Sequence, residues 1–70
     1  MTQYELIIRY LDDFGSISPM EAFRDLGITK LATRISEMRR SGYKFDQQLE
    51  KRKNRYGKDS TYMRYRRAAQ

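Results

Sequence analysis

Ser18-Pro19-Met20-Glu21-Ala22-Phe23-Arg24-Asp25-Leu26-Gly27-Ile28-Thr29 is the stretch on which the fold turns. Ser18 reads as a helix cap. Pro19 takes the first helical position, where its missing N–H costs nothing, and Glu21 closes a capping box. Gly27 ends that helix, and only Ile28 and Thr29 follow before a second periodic run begins. The pattern predicts a helix over 19–26 with Met20, Phe23 and Leu26 inward. A three-residue turn follows, with Ile28 plugging the core, and Thr29 then caps a helix over 30–41. Leu31, Ile35 and Met38 recur at i, i+4 and i+7 and make the buried stripe of that helix. Two short helices therefore meet at a tight corner.

Upstream, Thr2 and Glu5 form the same kind of box ahead of a helix over 3–14. At 100° per residue, Tyr4, Ile7, Ile8, Tyr10, Leu11 and Phe14 share one broad arc, with Glu5, Arg9, Asp12 and Asp13 on the other side. Gly15 stops it, and Ser16-Ile17 is a short extended link. Downstream of Gly42 the helical period disappears. Tyr43, Phe45, Tyr62, Met63 and Tyr65 lie at nearly alternate spacing among polar residues, around a turn rich in Asn54 and Gly57. This predicts an antiparallel hairpin with strands at about 43–52 and 60–66 and a turn near 54–57. Residues 1–66 then make one domain, with 67–70 a frayed tail. The fold class is mainly α with a small β-hairpin (α+β).

Seventy residues leave room for one small core. With no Cys and no His, disulfide staples and the common zinc sites are excluded, and no cofactor is expected. Nothing approaches the length of a membrane span, and residues 1–15 lack the basic start and apolar run of a signal peptide. The expected setting is the cytoplasm, away from any membrane. The net charge of +6 is unevenly spread. Residues 1–29 carry two basic and five acidic side chains, while residues 30–70 carry thirteen basic and four acidic. One face turned to a polyanion and one turned away is the simplest reading of that split.

Catalysis has little to stand on. No glycine-rich phosphate loop and no nucleophile–base grouping occurs, so an enzyme is not expected. Asp12 and Asp13 are adjacent, but they sit at the carboxyl end of a helix, where the dipole disfavours negative charge. They read as solvated groups turned away from a polyanion.

The order helix, link, helix, turn, helix, basic hairpin, carried by Ser18-Pro19-Met20-Glu21-Ala22, Leu26-Gly27-Ile28-Thr29, Leu31 to Arg40, Gly42-Tyr43 and the Asn54–Gly57 turn followed by Tyr65-Arg66, resembles the small winged helix-turn-helix domains common in bacteriophages and prophages. The resemblance covers about residues 3–66. It implies a three-helix winged helix-turn-helix that binds double-stranded DNA sequence-specifically, as a phage or prophage transcriptional regulator or accessory DNA-binding factor. The chain departs from the older repressor-type pattern, which has a small residue four before the turn glycine where this chain has Phe23.

Within that frame the third helix is the recognition helix. Thr29, Lys30, Thr33, Arg34, Glu37, Arg40 and Ser41 are expected on the side away from Leu31, Ile35 and Met38. Arg can pair bidentately with guanine, Thr can touch the thymine methyl, and Glu can accept from cytosine N4. Glu37 can equally pair with Arg34 or Arg40 one turn away. Lys51, Arg52, Lys53, Arg55 and Lys58 cluster about the hairpin tip and form the expected wing, with Arg55 best placed for a narrow minor groove. Ser18, at a helix amino end, is a weaker candidate phosphate clamp.

Two other readings use the same residues. Tyr56, Tyr62 and Tyr65, interleaved with Arg, could stack on the bases of RNA or single-stranded nucleic acid, although alternating Tyr in a strand also reads as half-buried sheet. Tyr4, Tyr10 and Tyr43 read as core or core-edge. The basic face could instead meet an acidic protein, for instance a host factor inhibited by a phage protein. A homodimer through Leu6 and Ile8 would double the recognised site.

Overall fold

A computed structural model describes residues 1–68. Three helices, α1 (Gln3–Phe14), α2 (Pro19–Leu26) and α3 (Leu31–Arg40), precede two strands, β1 (Phe45–Lys53) and β2 (Asp59–Arg67). The first two helices begin and end where their caps predict. Thr2 Oγ1 accepts from Glu5 N while Glu5 Oε1 accepts from Thr2 N. Ser18 and Glu21 repeat the exchange at α2. Gly27, with φ of 69°, holds the left-handed conformation that lets the chain leave α2 and turn. Ile28, 1 % exposed, drops into the core as expected.

The start of α3 differs from the sequence reading. Lys30, not Thr29, is the residue that precedes the helix, and no side chain caps it. The buried Ile28 leaves Thr29 still inside the exposed turn, so the helix starts one residue later. Its first N–H groups therefore lack the side-chain acceptor that Thr2 and Ser18 supply elsewhere.

The core gathers Ile7, Tyr10 and Leu11 from α1, Ala22 from α2, Leu31, Ile35 and Met38 from α3, and Ile17, Ile28, Phe45 and Tyr65 from the connections and the hairpin. The expected inward face of α2 is corrected. Met20 and Phe23 are more than half exposed, and Leu26 is only partly covered. Ala22 is the buried residue, because its small side chain lets α2 approach its neighbours closely. The small residue that older helix-turn-helix patterns place at Phe23 thus falls one position earlier. Phe14 is also exposed: it points along the apolar arc of α1 but lies on its last residue, against Tyr10 at 4.6 Å between ring centroids. Tyr43, about one-third exposed, stacks on buried Phe45 at the core edge.

The hairpin bounds differ slightly from the sequence reading: β1 starts two residues later, at Phe45, and runs one residue further, while β2 gains one residue at each end. The antiparallel register runs from Phe45 opposite Arg67 to Lys53 opposite Asp59. The expected tail shrinks, since Arg67 lies in β2 and Ala68 N donates to Lys44 O; residues 69–70 of that tail lie outside the described residues. Ile17 pairs with Tyr65 through two backbone bonds of 2.9 Å, so β2 has β1 on one edge and a one-residue strand on the other. Arg64 completes this root. Its guanidinium bonds Glu50, Glu21 Oε1 at 2.9 Å and Ser16 Oγ at 3.0 Å, and lies over the Tyr62 ring. One side chain thereby links the hairpin to the link before α2 and to the capping box.

A second polar clamp joins α1 to α2. The Tyr10 hydroxyl donates to Asp25 Oδ2 at 2.7 Å, and Arg24 grips the same carboxylate from the solvent side. Arg24 and then Tyr10 hold the Asp25 carboxyl down from 3.8 to about 2. The folded protein therefore takes up this proton less readily than the unfolded chain, so the stabilisation is present above the unfolded value and lost as pH falls through the folded one. The thermal midpoint of the wild type should drop between about pH 4 and pH 2. Asp25→Asn should drop less steeply, retaining only the slope from Glu5 and Glu50, which are also held low. Parallel curves from circular dichroism melts across that range would remove Asp25 as a source of acid sensitivity.

Candidate nucleic-acid interface

Positions on α3 advance by 100°, and Leu31, Ile35 and Met38 fix the buried side. Directly opposite lie Thr33, Ser36 and Arg40, all exposed, with Ala32 beside them. Lys30 is exposed at the amino end. Ser36 was not singled out by sequence reading, although the helical wheel alone puts it on this face.

Arg34 and Glu37, expected to share that face, sit on the flank toward α1. They are 30 % and 31 % exposed and lie 3.2 Å apart. The Tyr4 hydroxyl reaches from α1 and donates to Glu37 Oε1 at 2.7 Å. That bond, together with partial burial, raises the Tyr4 pKa above the usual phenol value. Arg39 takes the opposite flank, where its Nη2 donates to Phe45 O at 3.2 Å and Gln47 Oε1 at 2.9 Å. Helix α3 is thus braced by α1 on one side and by the root of β1 on the other. Arg39 went unnoticed as a brace because its partners exist only once the hairpin has folded back.

The expected wing residues are divided by the strand pleat. Lys51 and Lys53 lie on the face that carries Phe45 and Tyr65 at the root, whereas Arg52 lies on the face of Glu50 and Arg64. Arg55 and Lys58 sit in the turn. Asn54 Oδ1 accepts from Tyr56 N at 2.9 Å and Lys58 N at 3.1 Å, which fixes the loop. Gly57, with φ of 76°, supplies its left-handed residue. Every residue from Lys51 to Thr61 is exposed. Among the described residues, none of Lys30, Arg40, Lys51, Arg52, Lys53, Arg55 or Lys58 takes part in an ion pair. The acidic groups are largely engaged by other cations: Asp13 by Arg9, Asp12 by Arg67, Asp25 by Arg24, and Glu21 and Glu50 by Arg64. The unneutralised positive charge is therefore concentrated on the hairpin tip and on α3.

Two expected arrangements are not assembled. Ser18, the candidate phosphate clamp, is 3 % exposed, and its hydroxyl accepts from Glu21 N. The Glu21 carboxylate and Arg64 already occupy that helix end. Of the three tyrosines proposed to stack on bases, Tyr65 is buried in the core, Tyr62 is half-buried against Arg64, and only Tyr56 is freely exposed. Leu6 and Ile8, the candidate dimer contacts at the edges of the α1 apolar arc, line separate grooves, Leu6 with Phe14 and Leu26 and Ile8 with Tyr43.

No helix among the described residues is long and apolar enough to cross a membrane. Neither a curated protein nor a solved structure shows significant similarity to the chain. A family model described as a winged helix-turn-helix domain matches residues 2–67. Domains of that family are typically non-enzymatic modules that bind DNA, and the outward, unpaired cations of α3 and the hairpin suit that partner. Three helices followed by an antiparallel hairpin, with the family match running through nearly all of it, make this chain a member of the winged helix-turn-helix domain family.

Proposed function

We propose that the protein binds double-stranded DNA sequence-specifically, with α3 in the major groove and the hairpin tip on the adjacent backbone or minor groove. The observation that carries this reading is the outward face of α3: among the described residues, Thr33, Ser36 and Arg40 are exposed with no internal side-chain partner, and Lys30 stands at an amino end with no side-chain cap. Donors and a bidentate guanidinium on one groove-sized helix are what base reading requires. The open N–H groups of the first turn suit a phosphate. Lys51, Lys53, Arg55 and Lys58 add sequence-independent attraction to the backbone. The role is that of a transcriptional regulator or accessory DNA-binding factor; its placement in a phage or prophage rests only on the sequence resemblance.

Site selection from randomised duplexes, followed by fluorescence anisotropy across salt concentrations, tests the reading. Arg40→Ala should cost roughly 1–3 kcal/mol on the preferred site and relax preference at one position. Lys53→Ala should weaken all sequences alike and lower the salt slope by about 1. Absence of duplex binding even at low salt would overturn the proposal. Binding of an acidic protein in its place would favour the interaction-module alternative.

A further inference from the structure

Glu37 is an anomaly on a surface meant for a polyanion. A carboxylate facing phosphates or guanine acceptors is repelled, so its presence on α3 calls for a partner that offers hydrogens. Two cationic or hydrogen-bonding groups compete for its Oε1, and distance and direction decide between them. The Tyr4 hydroxyl donates at 2.7 Å. Arg34 Nε lies at 3.2 Å but lacks the alignment of a hydrogen bond, and stays buried without a hydrogen-bond partner. Tyr4 therefore sets the carboxylate's orientation, and does so from α1, a helix that does not carry the outward face. Among the described residues, Glu37 Oε2 has no hydrogen bond. The side chain is partly exposed, next to Thr33 and Arg40 on the wheel.

We propose that Glu37 Oε2 accepts from the exocyclic amino group of a cytosine in the major groove, and that Tyr4 is the positioning residue that holds the carboxylate in place for it. The inference rests on the DNA-binding reading given above. Cytosine is favoured over adenine for a chemical reason. Adenine presents its amino group beside the N7 lone pair, which repels a carboxylate, whereas cytosine presents its amino group beside C5–H. A glutamate free to rotate would lose rotamer freedom on docking; one already tethered by Tyr4 has less to lose.

Site selection with wild type, Tyr4→Phe and Glu37→Gln tests the idea, read beside thermal midpoints and salt slopes. Wild type should select cytosine at one position. Glu37→Gln should move that position to adenine, because an amide both donates and accepts and so matches adenine N6 and N7. Tyr4→Phe should keep cytosine but shrink its advantage over the other bases there by about fivefold to tenfold, the range of one modest hydrogen bond. Preferences at other positions and the salt slope should stay near wild type, and the melt should remain cooperative, with its midpoint lower by about 4–8 °C for the lost intramolecular bond. A Tyr4→Phe profile identical to wild type, or one flattened evenly at every position, would overturn the inference while leaving the DNA-binding reading intact. A wild-type protein without affinity for any duplex would overturn both.

Discussion

Ile35→Ala should leave the protein largely unfolded at room temperature. Ile35 is 1 % exposed on the inner side of α3 and sits in the single core. Truncating a buried Ile costs roughly 2–5 kcal/mol, from lost apolar transfer and the cavity left behind. A core of this size supplies about 3–5 kcal/mol of net stability. The two ranges overlap, and no disulfide is present to hold a weakened fold together. Circular dichroism should show the cooperative melt shifted far down or lost. Thr33→Ala, two residues away on the outer side, should shift stability by no more than about 0.5 kcal/mol. Similar melts for the two variants would mean that α3 does not seat as described.

The second large effect concerns charge. Replacing Lys51, Lys53, Arg55 and Lys58 together by Gln should lower the slope of log affinity against log salt by about 3–4, because each phosphate contact on duplex DNA contributes about 0.9. Affinity at low salt should collapse accordingly. The melt should hardly move, since all four side chains are exposed and, among the described residues, form no ion pair. An unchanged slope would place the hairpin tip away from the backbone and leave α3 to bind alone.

Much of the fold is legible in short local signals. Thr2/Glu5 and Ser18/Glu21 fix helix starts through exchanges spanning three residues, and Gly15 and Gly27 fix the ends, so α1 and α2 need no tertiary information. Burial on α2 is different. In so short a helix, Met20, Phe23 and Leu26 span a wide arc, and periodicity cannot say which part of it a neighbour will cover; the small Ala22 carried the answer but did not look like core. The candidate site shows the same division. Thr33 and Arg40 follow from the wheel, opposite Leu31, Ile35 and Met38. The sequence offers Glu37 only Arg34 and Arg40 one turn away, whereas its hydrogen-bond donor is Tyr4, thirty-three residues away in sequence. Arg39 and Arg64 are similar: their partners come together only when the hairpin docks on the helices, and no run of neighbouring residues foretells them.

The exposed span from Lys51 to Thr61 sits beyond the root that Ile17, Tyr65 and Arg64 anchor, and among the described residues its hydrogen bonds are those of the ladder and the Asn54 loop. Changes of charge or length at the tip should therefore leave folding largely untouched. Lineages can lengthen, shorten or recharge the tip while the three-helix body stays constant, so divergence among relatives should concentrate there. The same separation means that an insertion at the tip should leave the melt of the three-helix body intact, whereas a change on the underside of α3 should not.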